Sequence, residues 1–180
     1  MQQQSKNNNI DLPFNWTQES SCVFYVKDSI VIFTEEMKLF LKSCAAQNDK
    51  REARLCTHLS PESTLHEMII VHRKGNYVPP HRHYNKVESF HIMEGKLAIV
   101  IFNNDGSIIK AIHLSRDGDI YYKLQEPMYH SVIPLTDYVI YHEITDGPFI
   151  LDDKDEAKWA PRKENSLEVK AYQKEIIGKI

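Results

Sequence analysis

His81 and His83 stand one residue apart in a chain of 180 residues, and Glu88 follows five residues after the second of them. Successive side chains of a β-strand point to opposite faces, so the two histidines share a face while Arg82 points away. Two imidazoles on one face, with a carboxylate from the next strand closing over them, can grip a divalent metal through nitrogen and oxygen. Glu88 has a second reading, as an unligated general base beside the ion. Pro79 and Pro80 hold the approach to His81 extended, because a residue before proline is pushed out of the helical region.

The elements that must position these groups are mostly short strands. Cys22 to Val26 and Ile30 to Phe33 flank the polar Lys27-Asp28-Ser29, which predicts a hairpin. Thr34 offers an N-cap, and Met37, Phe40, Leu41 and Cys44 fall on one face of a helix ending near Gln47. From Ala53 the chain reads as strands and turns: 54–58, 65–73, 77–83, 87–93, 96–102, 108–114, 120–124, 129–133 and 138–144. Asn104-Asp105-Gly106 is a strong hairpin signal. This spacing of short strands suits an antiparallel sandwich or barrel, and no internal repeat calls for a second one. The expected units are a disordered lead-in over 1–10, a hairpin and helix over 11–52, a β-barrel over 53–151 and a charged tail over 152–180. In that tail a short helix is expected over Leu167 to Ile177, with Trp159-Ala160-Pro161 packed back on the barrel.

Gly75, five residues, His81-x-His83, four residues, Glu88, six residues and Gly95 together resemble the first cupin motif. "ARLCTH", "PHRH", "ESFHIMEGKLAIVIF" and "KWAP" narrow the resemblance to the WbuC-type cupin fold metalloproteins, over roughly residues 51 to 161. The resemblance implies a mainly β chain with one cupin jelly-roll β-barrel behind the N-terminal extension. It implies one divalent metal held by His81, His83 and Glu88 with a histidine from a second motif, for which His130 is the candidate. That second motif departs from the pattern. Pro127 and Pro134 replace a glycine and an asparagine, and Gly118 lies one residue too far from His130, an excess that a β-bulge would absorb. The WbuC-type proteins occur among surface-polysaccharide genes, which implies a sugar or sugar derivative as the small-molecule ligand.

The other histidines are weighed singly. His72, His91 and His113 read as surface or hydrogen-bonded core residues, and His91 has the wrong strand parity to join Glu88. Arg54, His58, Tyr77 and His142 are candidate substrate-binding residues; an arginine at the site mouth suits a carboxylate or phosphate. For Arg54 a surface salt bridge is the competing role. Nitrogen and oxygen donors without thiolate leave iron, manganese, nickel and zinc open. An octahedral ion would keep two positions for substrate, water or dioxygen, whereas tetrahedral zinc would be saturated and structural.

Composition excludes several classes. A hydrophobic fraction of 42% with 26% charged residues is that of an ordinary globular protein. A net charge of −3 gives no basic surface for nucleic acid. The apolar run Leu97 to Phe102 is far too short to cross a bilayer, and the polar N-terminus lacks a signal-peptide core. Three irregularly spaced cysteines argue for a reducing compartment, hence a cytoplasmic protein. A spare edge on the N-terminal hairpin predicts a homodimer. Two functions are carried forward: a metal-dependent enzyme of isomerase, epimerase or dioxygenase type acting on a small sugar-like molecule, and a non-catalytic module that binds or senses one.

Overall fold

The structure, a computed structural model, describes residues 13–150 and 154–180; the lead-in expected over 1–10 lies outside the described residues. Among the described residues twelve strands and two helices follow in chain order. The first are β1 (Trp16–Ser20), β2 (Val23–Val26), α1 (Glu35–Gln47), β3 (Glu52–Cys56) and β4 (Leu65–Arg73). Next come β5 (His81–His83), β6 (Glu88–Glu94), β7 (Lys96–Phe102), β8 (Ile108–Ser115) and β9 (Tyr121–Leu124). The last are β10 (Tyr129–Pro134), β11 (Tyr138–Asp146), β12 (Lys154–Glu156) and α2 (Ser166–Ile177). The strands form a seven-stranded sheet in the order β1-β2-β3-β4-β11-β6-β9 and a five-stranded sheet in the order β12-β5-β10-β7-β8.

Three apolar clusters account for the layering. The inner one joins Met68, Ile70, Phe90 and Tyr141 of the larger sheet to Leu97, Ile99, Leu114 and Val132 of the smaller, so the two sheets face each other in a jelly-roll arrangement. A second packs Leu41 and Ala45 of α1 on Leu55, Ile69, Val71 and Ile140, the other face of the larger sheet. A third seats Ile176 and Tyr172 of α2 on Ala98, Val100 and Ile133, the outer face of the smaller. This double coverage explains why Met68 to His72 and Leu97 to Phe102 are buried without interruption and show little alternation in the sequence.

The N-terminal hairpin forms one strand earlier than expected. β1 pairs with β2 around residues 21–22, and 30–33 is irregular. The other edge of β2 is taken by β3 in parallel, so no edge is left for 30–33. Ile30 and Ile32 are exposed, and only Phe33 reaches the α1 cluster. The extension is therefore continuous with the larger sheet. α1 begins where the sequence places it: Thr34 Oγ1 accepts the Met37 amide at 3.3 Å. Thr34→Ala should cost about 1 kcal/mol in the unfolding free energy from denaturant titration. An unchanged midpoint would show that the cap is dispensable.

Two glycines fix the ends of the strands that carry the histidines and Glu88. Gly95 has φ +80, and a Cβ there would lie 2.3 Å from the Tyr138 carbonyl, so no larger residue fits the β6–β7 turn. Gly75 takes φ +85 ahead of the extended segment that leads to β5. That segment, expected to be strand from Tyr77, pairs only from His81, since Pro79 and Pro80 have no amide to donate. The tail returns across the smaller sheet through β12, which lies beside β5, and Trp159 packs on Phe102 at 5.3 Å.

Candidate metal centre

β5 and β10 are adjacent, with His81 opposite His130. The period of two brings His83 to the same face as His81, and the ligating atoms of His81, His83 and His130 all lie within 4.8 Å of one another. Their rings are separated by 4.4 Å for His81–His130, 5.0 Å for His81–His83 and 6.1 Å for His83–His130. Glu88 comes across from the facing sheet, on β6. Its Oε1 lies 3.0 Å from His130 Nε2, yet the two are not aligned as a hydrogen bond, and neither atom has another partner. Buried polar atoms without partners are costly, and a cation between them would satisfy both.

The outer nitrogens are held in the manner of metal ligands. His81 Nδ1 lies 2.9 Å from the Pro79 carbonyl and His130 Nδ1 3.0 Å from the Met128 carbonyl. Each Nδ1–H donates to its carbonyl, which fixes the tautomer and turns the Nε2 lone pair inward. Burial, then the neighbouring His130 and Lys154, holds His81 well below the usual imidazole range, so it stays neutral. For His130 burial again opposes the charge, but the Glu88 carboxylate outweighs it and shifts the group upward.

No bulge interrupts β9 or β10 against its neighbours, so the extra residue between Gly118 and His130 is taken up in the connecting turns. Pro134 closes β10 four residues beyond His130, opposite Leu97, and leaves the histidine's position undisturbed.

The four residues open on a cavity of about 360 Å³ between the sheets. Of the other sequence candidates only Arg54 lines it. Tyr77 lies elsewhere: its hydroxyl donates to the Pro161 carbonyl at 2.9 Å and its ring packs edge-on against Tyr172. His58 stacks on His66 at 4.1 Å and its Nδ1 accepts the Glu67 amide, so His66 reaches the cavity in its place. His142 faces the other way on β11, 3.7 Å from Glu67, because Tyr141, Glu143 and Thr145 take the inner face.

Sequence reasoning missed Glu143, His72, Lys154 and Lys163, all of which line the cavity. Strand parity with Tyr141 would have placed Glu143. His72 shares its face with Met68 and Ile70, a pattern hidden by the burial of both faces of β4. Lys154 sits on β12 opposite His83, and Lys163 lies beyond it in the tail, where the sequence gives no strand signal. Burial raises the Glu143 carboxyl above its usual range, with Arg54 opposing and Glu88 adding to the shift.

With this geometry in place, comparison with known proteins bears on the fold. CapF from Staphylococcus aureus, a capsular polysaccharide assembling protein, is 20% identical over 60% of this chain and 32% of its own, with a TM-score of 0.51. This chain has the cupin fold. The cupin domain of Schizosaccharomyces pombe Cnp3 is 13% identical over 54% of this chain and 66% of that one, with a TM-score of 0.43. Bacillus subtilis oxalate decarboxylase, studied for its Mn(II) centres, is 18% identical over 52% and 24% of the two chains, also at 0.43. The chain spans about a third of the length of CapF. The likeness reaches the cupin fold and not the WbuC-type proteins in particular. A family described as "Domain of unknown function (DUF6016)" matches residues 33–114, which include His81, His83 and Glu88 but stop short of His130. No curated protein sequence matches. Among the described residues no helix is long and apolar enough to cross a membrane.

Proposed function

We propose that this cupin binds one divalent transition metal through His81, His83, Glu88 and His130 and uses it on a small sugar-like molecule. The observation that carries the reading is the convergence of three imidazoles, two of them fixed through Nδ1, on a buried carboxylate oxygen that lacks any other partner. Iron, manganese, nickel and zinc all suit such donors. When bound, the ion supplies Lewis acidity to adjacent oxygens of a ligand. The chain's own residues do the rest: Glu143, with its raised affinity for a proton, lines the same cavity and would exchange one with the ligand. CapF assembles capsular polysaccharide, and the sugar assignment agrees with that by fold-level analogy.

The test is to incubate metal-loaded full-length protein with monosaccharides, sugar acids and nucleotide-sugars and follow products by mass spectrometry. A new isomer or oxidised product that vanishes on chelation is expected. Binding across the panel without turnover would replace the enzyme by a sensing or carrying module. The expected homodimer belongs to this reading as well: β1 is an end strand of the larger sheet and can add to a partner's edge.

A further inference from the structure

We infer that the end of the cavity bounded by Arg54, His72 and Lys163 is an oxyanion subsite, so that the ligand is a small polyhydroxylated acid carrying a carboxylate or phosphate. The inference rests on the metal-centre reading for the other end of the same ligand.

Strand register sets the two ends apart. Arg54 on β3 and Glu88 on β6 face the same cavity but are three strand spacings apart, roughly 14 Å across the sheet at the backbone. One ligand can therefore touch the histidines with its hydroxyls and the Arg54 end with a charged group.

The charges of the cavity wall do not balance. Arg54, Lys86, Lys154 and Lys163 face Glu52, Glu88 and Glu143. Glu88 is committed to His130, Lys154 pairs with Glu156 at 3.1 Å, and Lys86 lies over the Phe149 ring. Glu52 takes the Asn76 side-chain amide at 3.4 Å and stands 3.9 Å from His72, which makes it the carboxylate nearest this end of the cavity without an ion pair to Arg54 or Lys163. Among the described residues no carboxylate comes within ion-pair distance of Arg54 or Lys163. Burial and Lys154 press the Lys163 ammonium toward its neutral form, with Glu52 and Glu156 opposing, whereas Glu143 and Glu52 favour the charge on Arg54.

Between these cations sits His72, 3% exposed, with its Nδ1 lacking any partner. Burial, Arg54 and Lys163 keep it neutral, its pKa lowered to about 3. A neutral imidazole with a free ring nitrogen, a guanidinium and an ammonium form a donor set suited to an oxyanion. Arginine adds two parallel charge-assisted bonds where the group is planar.

The experiment measures binding of glucuronate, glucose 6-phosphate and glucose to the full chain by calorimetry, metal-loaded and after chelation. At least one acid should bind tenfold or more tighter than glucose, and the stronger of the two names the anion. Arg54→Gln and, independently, Lys163→Gln should each reduce that preference about tenfold while metal content stays at the wild-type level. Equal binding of acids and glucose, no binding of either acid by protein that holds its metal, or an undiminished preference in both variants would overturn the subsite. An acid preference in protein that takes up no metal would keep the subsite and remove the metal reading, so the two failures are separable.

Discussion

Alanine in place of His81 should leave the purified protein without a stoichiometric divalent ion, where elemental analysis of the wild-type chain should find about one per chain. The imidazole contributes one of three nitrogens converging within 4.8 Å, and its Nδ1 is already spent on the Pro79 carbonyl. No neighbouring side chain can replace the lost donor from that strand, because Arg82 points outward to Asp155 at 2.9 Å. His130→Ala should behave alike. Losing a group that only orients a ligand typically costs ten- to a hundredfold in metal affinity, so removing a ligand itself should cost at least about a hundredfold. Glu88→Gln separates the two roles open to that residue. If Glu88 is a ligand, affinity falls with the histidine variants; if it is a base, metal content survives and turnover alone is lost. Wild-type metal content in both histidine variants would contradict the assignment.

Acid should weaken this protein through His72, and His72→Gln should remove that part of the sensitivity. The side chain is 3% exposed, with its pKa lowered from the ordinary value to about 3. Burial is the largest cause, followed by the charges of Arg54 and Lys163; Glu52 at 3.9 Å is too distant to compensate. Tyr141 closes the remaining side with its ring edge at 5.5 Å between centroids. A base whose folded pKa is depressed binds its proton more readily when unfolded. Stability is therefore full above about pH 6.5 and declines as pH falls toward 3, by up to about 1.4 kcal/mol per pH unit for one proton. Denaturant unfolding of chelated protein across that range should give the variant a slope shallower by about one proton. Parallel curves would show that His72 titrates alike in both states.

The order of strands from β3 to β11 was legible because turn residues punctuate the chain and the alternation survives where only one face is covered. The histidine cluster was legible for the same reason: His81-x-His83 is a period-two pattern, and Gly75 and Gly95 mark the backbone positions on either side. What escaped has identifiable causes. The hairpin was displaced because local composition does not reveal that β2 spends its second edge on β3, whose residue Arg54 pairs with Val23 across the whole of α1. His142 was preferred to Glu143 on residue type, although alternation from Tyr141 points to the latter. Lys163 enters the cavity only because β12 returns the tail beside β5, a long-range pairing that three strand residues cannot announce.

Crystals of protein purified without added metal, measured at the manganese, iron, nickel and zinc edges, test the central claim most directly. One anomalous peak is expected between the Nε2 atoms of His81, His83 and His130 and the Glu88 carboxylate, at roughly 2.0–2.2 Å from each where the ion is zinc. Imidazoles that remain within reach of one another around an empty centre, after the protein has been supplied with all four metals, would contradict it.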